Sequence, residues 1–249
     1  MRILEYGGEN KERVVLIHPS LVTWDYFENV IPLLETHYHL LIPVLPGYDL
    51  EDDSRFSSVE QIASELAEDL RQKGIQEVKT IYGCSMGGSI VLRIASDGKL
   101  RAQNYILDGG ITPYQLPWIL TRFIALRDFG MMALGKLGGE KLILKAFSST
   151  QYSEEDLKYV AGMFRHCTYK TLWNTFDSCN NYQMPKKTMR FSGKIYYWHA
   201  EKERKARSWD LKYMKKFVPD TVFKSFEGMD HGDMALFYPE RMAEELLLL

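Results

Sequence analysis

Cysteine is scarce in this chain: Cys84, Cys167 and Cys179 are the only three in 249 residues. They form no metal-like cluster, and an odd count argues against a disulfide framework. The opening residues, Met1-Arg2-Ile3-Leu4-Glu5-Tyr6, are too short and too polar for a secretion signal. Together these features lead us to expect a reducing, cytoplasmic setting. Long apolar runs are missing too. The longest, Leu116 to Leu126, is broken by Arg122 and falls short of a membrane span. Neither sign of charge dominates: 31 Lys and Arg stand against 33 Asp and Glu, for a net charge of −2. With no basic stripe, a nucleic-acid partner is not expected, and with no block of like charge, neither is a solvated tail. Internal repeats and low-complexity segments are also absent. What remains is enough chain for one large domain or two small ones.

The apolar residues that are present fall into short runs. Val14-Val15-Leu16-Ile17 is bounded by charge and then by Pro19. Leu40 to Leu45, Glu77 to Tyr82, Asn104 to Leu107, Lys194 to Trp198 and Thr221 to Phe226 repeat the pattern. Such runs read as strands buried on both faces, as in a parallel sheet. Helical stretches lie between them: Trp24 to Leu34, a helix opened by Ser58 and Gln61 and closed at Gly74, and a last one from Pro239 to Leu248. This alternation predicts a mostly parallel sheet flanked by helices. It breaks at 111–190, where Leu116–Asp128, Met131–Ala146 and a run capped by Ser153 all read as helix. The expected organisation is a core of 1–110 and 191–249, with 111–190 a helical cap inserted after the strand that ends near Asp108.

One stretch carries chemistry. Gly83-Cys84-Ser85-Met86-Gly87-Gly88 has the form G-x-S-x-G-G, with a strand-like run before it and a helix-like run, Ser89 to Ala95, after it. A serine hydroxyl is a weak nucleophile unless it is held exposed beside a base. A sharp strand-to-helix turn exposes it, and the flanking glycines let strand and helix approach closely. The helix start aims free N–H groups at the point where negative charge develops. Cys84, just before the centre of the turn, is expected to be a buried packing residue.

Ligands of open α/β sheets bind beyond the carboxyl ends of the strands. Reactive residues found there include His18, Ser85, Asp108, the group His199-Ala200-Glu201-Lys202-Glu203, and the group Asp230-His231-Gly232-Asp233. A serine, an acid and a histidine therefore follow one another in that order.

On these residues the chain resembles the α/β-hydrolases, in particular capped, esterase- and lipase-like serine hydrolases. The resemblance spans nearly the whole length and implies the α/β-hydrolase fold. Ser85 matches the family nucleophile and His231 its histidine. Ala200-Glu201-Lys202-Glu203 resembles the family's G-E-x-D, which points to Glu203 as the acid. Asp108 is the alternative, with Glu201 and Asp230 behind it. His18 occupies the place of a loop-bracing histidine, and His199 that of a structural one. The oxyanion donors implied are the amides of Met86 and Ser20, with Leu21 as the alternative to Ser20. Pro19 stands where the family has glycine and cannot donate.

The segment 111–190 is rich in large apolar side chains, among them Phe129, Met132 and Phe147. Trp118, Phe123, Met131 and Trp173 are the candidates for a substrate pocket over Ser85. The activity implied is hydrolysis of a small ester-like acyl compound, with no metal and no organic cofactor. Amide, peptide or carbon–carbon cleavage and perhydrolysis are other chemistries for the same residues. A small-molecule receptor that retains the triad is the alternative from another class.

Overall fold

The computed structural model describes residues 1–146 and 152–249. Its centre is a seven-stranded sheet: β1 (Arg2–Tyr6), β2 (Arg13–Ile17), β3 (His39–Val44), β4 (Glu77–Cys84), β5 (Arg101–Asp108), β6 (Lys194–Ala200) and β7 (Val222–Phe226). The strand order is β1-β3-β2-β4-β5-β6-β7. All neighbours run parallel except β1, which pairs antiparallel with β3.

Nine helices are described: α1 (Ile31–Leu34), α2 (Val59–Gln72), α3 (Met86–Asp97), α4 (Trp118–Ala146), α5 (Glu154–His166), α6 (Tyr169–Asn181), α7 (Ser208–Phe217), α8 (Asp233–Phe237) and α9 (Pro239–Leu247). Successive strand residues feed opposite faces of the sheet. Val15, Ile17 and Leu41 join the apolar layer shared with α2, α3 and α7. Val14, Leu16, Leu40 and Ile42 join the layer shared with α1, α8 and α9. The uninterrupted Val/Ile/Leu runs seen in the sequence follow from this two-sided burial.

Several elements differ from the sequence expectation. β1 was not anticipated, because an edge strand carrying Arg2 and Glu5 gives no apolar run. Trp24 to Leu34 is a 3₁₀ turn, Trp24–Phe27, followed by the four-residue α1 with Pro32 in its first turn. Proline lacks the N–H that a continuous helix would need there. The two helices expected at 116–128 and 131–146 are one element, α4, that passes through Gly130 and is interrupted at Gly139 (φ 58°, ψ −157°). Phe147 lies outside the described residues.

Helices α4, α5 and α6 fall between β5 and β6 in chain order. They reach the carboxyl end of the sheet through named bonds. The Tyr159 hydroxyl donates to Asp25 Oδ1 at 2.8 Å and accepts from the Thr23 amide at 3.2 Å, just beyond β2. Tyr48 and Thr175 share a 2.8 Å hydroxyl contact, and Ser178 Oγ accepts from the first amide of α2 at 2.7 Å.

Candidate active site

Ser85 occupies the single residue between β4 and α3 with φ 52° and ψ −112°. A positive φ costs a non-glycine residue roughly 1–2 kcal/mol. The surroundings hold it there. The Ser85 amide donates to the Asp108 carbonyl at 2.8 Å, and its own carbonyl accepts from Ser89 at 3.2 Å. No side chain fits at the flanking glycines. A Cβ on Gly83 would stand 2.3 Å from the backbone of Gly87, and one on Gly87 would stand 2.4 Å from the Ile17 carbonyl. The turn therefore presses α3 against β4 on one side and against the end of β2 on the other. Ser85 Oγ makes no hydrogen bond to any described residue.

His231 lies in the turn between β7 and α8. Its Nδ1 is 2.5 Å from Glu203 Oε2, and Glu203 Oε1 accepts the Ala200 amide at 2.9 Å. The Arg207 guanidinium stands 3.9 Å from the same carboxylate. Burial favours the neutral acid, but the hydrogen bond from His231, its charge, the Ala200 amide and Arg207 outweigh it. Glu203 is thereby held below the usual glutamate value. Gly109 stands between this pair and the serine turn. A Cβ there would come within 2.8 Å of His231 Nδ1 and 2.9 Å of Glu203 Oε2. Because the Asp108 carbonyl immediately before it receives the Ser85 amide, one peptide unit joins the surroundings of serine and histidine. Tyr26 makes a second tie: its hydroxyl donates to the Gly232 carbonyl at 2.9 Å and lies 3.4 Å from Cys84 Sγ.

The other carboxylates are engaged elsewhere. Asp108 Oδ2 accepts the Tyr82 hydroxyl at 2.5 Å inside the sheet. Burial pushes this carboxyl up to about 6, against the Tyr82 hydrogen bond, and the nearby Glu203 charge pushes the same way as burial. Glu201 accepts the Gly228 amide at 3.0 Å, and Asp230 accepts the His231 amide at 2.7 Å.

His18 is fully buried. The Leu45 amide donates to its Nε2 at 3.3 Å, so the ring proton sits on Nδ1, which donates to the Pro19 carbonyl at 2.8 Å. Burial drives its value down to about 4, against that carbonyl bond. A ring held neutral with both nitrogens engaged braces the 18–21 loop. His199 likewise sits in β6 with Nδ1 3.0 Å from the Ala200 carbonyl. Cys84 is buried, with its thiol pushed well above the usual value by burial and by the Asp108 charge. Such a thiol is inert.

Ser20 and Leu21 form the turn after His18, and Leu21 takes φ 64°. The amide of Met86 opens α3. Since Gly87 lies against the Ile17 and His18 carbonyls, the loop and the helix start converge beside Ser85.

Three of the four apolar candidates require correction. Trp118, Phe123 and Met131 are 71%, 67% and 53% exposed and do not form an enclosed wall over the serine. Trp118 lines an outer cleft of about 690 Å³ with Arg93, Arg122 and Asp177, and none of Ser85, His231 and Glu203 borders that cleft. Trp173 is half-buried and meets Phe129 edge-on at 5.4 Å. The physical reason is helical phase. α4 runs unbroken through Gly130, so neighbours differ by about 100° around its axis. Met132, not Met131, turns inward, where it packs with Leu21, Tyr152 and Val160 against Leu157, Ala161 and Phe164. Tyr152, which the sequence did not single out, also meets Phe237 at 5.4 Å. Burial and the carboxylates of Asp233 and Asp230 push its hydroxyl up to about 12.

Solved structures share this architecture. MenH from S. aureus superposes with a TM-score of 0.76 at 17% identity, covering 99% of this chain and 96% of that one. A bromoperoxidase from Bacillus anthracis gives 0.76 at 19%, covering 99% and 93%. A thermophilic esterase from Thermogutta terrifontis gives 0.74 at 14%, covering 99% and 91%. At such identities the likeness establishes the fold alone. A model of the alpha/beta hydrolase family matches residues 14–245, from the first buried parallel strand into the last helix. With that sheet order, a strained serine between β4 and α3, and a histidine–glutamate pair beyond β6 and β7, the chain belongs to the alpha/beta hydrolase family.

Proposed function

We propose that the protein is a serine hydrolase that cleaves an ester or related acyl compound of small to medium size through Ser85, His231 and Glu203. The observation that carries the reading is the 2.5 Å contact of His231 Nδ1 with Glu203, made one glycine away from the strained serine turn. In this reading Glu203 fixes the imidazole with its proton on Nδ1, which leaves Nε2 as the base. Nε2 makes no hydrogen bond to any described residue.

Ser85 Oγ attacks the substrate carbonyl carbon while its proton passes to Nε2. The carbonyl oxygen becomes an oxyanion, held by the amides of Met86 and Ser20, with Leu21 the other donor at that loop. The tetrahedral centre collapses, the acyl–oxygen bond breaks, and the imidazolium returns its proton to the leaving alcohol. Water then repeats the sequence on the acyl-enzyme and releases the acid. Glu203 stabilises the imidazolium formed in each half.

Segment 111–190 serves in this proposal as a cap that sets specificity. Met132, Tyr152 and Val160 form its inner side, against Leu21 of the core loop, and the chemistry comes from the core. The three buried free thiols fit work in the cytoplasm.

A panel of p-nitrophenyl esters of rising acyl length tests the reading. The expected result is repeated turnover by wild type on one part of the series and none by Ser85→Ala. Release of only one equivalent of nitrophenol per chain would overturn it in favour of a receptor that retains the triad.

A further inference from the structure

Between His18 and the 3₁₀ turn at Trp24–Phe27 runs the loop that carries Ser20 and Leu21. The amides of Ser20 and Leu21, like that of Met86, donate to no described residue. Leu21 takes φ 64°, and among the described residues Ser85 is the only other non-glycine with a positive φ. A leucine keeps such a conformation where its surroundings over-determine it. On the N-terminal side the buried His18 ring, bonded to the Pro19 carbonyl and the Leu45 amide, braces the loop.

On the C-terminal side the restraints come from one helix, α5. The Leu21 side chain packs against Leu157, Ala161 and Phe164. Two residues on, the Thr23 amide donates to the Tyr159 hydroxyl at 3.2 Å, and that hydroxyl donates to Asp25 Oδ1 at 2.8 Å. Burial and the bond to Asp25 push the Tyr159 hydroxyl above the usual tyrosine value, so it keeps the proton it donates. A hydroxyl that accepts from one point of a chain and donates to another two residues away fixes the direction of the path between them. That path continues to Tyr26, whose hydroxyl donates to the Gly232 carbonyl of the histidine turn at 2.9 Å.

We propose that Tyr159 is a positioning residue: from α5, its hydroxyl holds the 20–25 segment in the conformation that offers the Ser20 or Leu21 amide to the developing oxyanion. The proposal rests on the serine-hydrolase reading above. Tyr159 acts through the loop, so its loss falls on the transition state, which carries the oxyanion, and not on the binding of substrate. A tyrosine that only lined an acyl pocket would do the opposite.

The test is steady-state kinetics of Tyr159→Phe on a short and a longer p-nitrophenyl ester, together with inhibition by an alkyl trifluoromethyl ketone. Ser85 Oγ adds to the ketone carbon, its proton passes to His231, and the former carbonyl oxygen becomes the oxyanion, so the ketone reports on the hole without turnover. Loss of an oxyanion donor outright costs ~10²–10³ in kcat. A donor displaced by a slackened loop is expected to cost roughly 10–100-fold in kcat on both esters alike, with KM within about threefold. The Ki of the ketone is expected to rise by a similar factor, while thermal unfolding keeps one cooperative transition. Asp25→Ala removes the acceptor at the other end of the same bond, and is expected to lower kcat and raise Ki in the same manner, to a smaller extent. Either variant matching wild type in kcat and Ki would overturn the proposal, as would a loss borne by KM or confined to the longer ester. Those results leave the serine-hydrolase reading standing, because wild type still turns over. A wild type that turns over no ester would remove that reading and the proposal with it.

Discussion

Glu203 and Asp108 each follow a strand end near His231, yet their surroundings divide them. Glu203 receives the ring and the Ala200 amide, and Arg207 stands behind it. Asp108 turns into the sheet toward Tyr82. Replacing Glu203 by Gln keeps the size but removes the charge that holds the Nδ1 proton. Its kcat is expected to fall by ~10⁴, the loss known for an orienting acid exchanged for its amide. Asp108→Asn is expected to cost less than about tenfold, since its amide oxygen can still accept from Tyr82. Steady-state kinetics on a small ester separates the two, and the reverse ranking would move the acid to the end of β5. Gly109 is a sharper probe of the same geometry. With φ 56° and the ring and carboxylate each within 3 Å of its missing Cβ, Gly109→Ala must push His231 off Glu203. Its kcat is expected to drop at least about a hundredfold, consistent with the sensitivity of catalysis to ~1 Å displacements, while thermal unfolding still shows one cooperative transition.

Among the elements, the strand–serine–helix turn was legible in the sequence because its causes are local. Gly83, Gly87 and Gly88 lie close together in the chain, and the contacts that demand them are made with one another, with the end of β2 at Ile17 and His18, and with Gly110 just beyond β5. The buried parallel strands were legible for a related reason, since burial on both faces writes itself as an apolar run. The 111–190 segment was not. Its helices were recognisable from composition, but the inward side of each depends on phase, and the phase of α4 depends on whether Gly130 ends a helix. It does not, so Met132 packs inward with Leu21 and α5, and Met131 faces out. The acid was legible only as a choice, because nothing in the sequence says which strand-end carboxylate meets the ring.

This account of the elements makes its own test. Met132→Ala would remove bulk from the inner lining without touching the serine turn. It is expected to shift the preferred acyl length and lower kcat/KM for the best medium-length ester by roughly tenfold, the scale of a few kcal/mol or less per pocket group. Activity on the acetate ester is expected to stay within about twofold. Hydrogen exchange on α4–α6 is expected to be faster than on β4 and β5, as it is for elements that gate a site. Protection equal to the strands would contradict the cap assignment.

At the scale of the whole molecule, two apolar layers sandwich one sheet, and the groups proposed to be catalytic sit where that sheet ends. Placing a carboxyl inside such a structure has a cost that pH reveals. Asp108 ordinarily ionises near 3.8 and is pushed up to about 6 by burial. Between those values the folded state holds a proton that the unfolded chain releases, so stability falls as pH rises through this window. Above it the full penalty, about 3 kcal/mol for a shift of this size, persists. Asp108→Asn is therefore expected to be the more stable protein at pH 7.5 and to lose most of that advantage by pH 4. Urea denaturation at the two pH values checks the sign.

The central claim, that Ser85 is the nucleophile of an acyl-transfer site assembled by the whole fold, is tested most directly by intact-mass spectrometry after treatment with a fluorophosphonate. The reagent forms a phosphorus–oxygen bond to an activated serine and expels fluoride. Wild type and Cys84→Ala are expected to gain one adduct, mapped by digestion to Ser85, while Ser85→Ala gains none. An adduct on Ser85→Ala equal to that on wild type, or no adduct on wild type, would contradict the account.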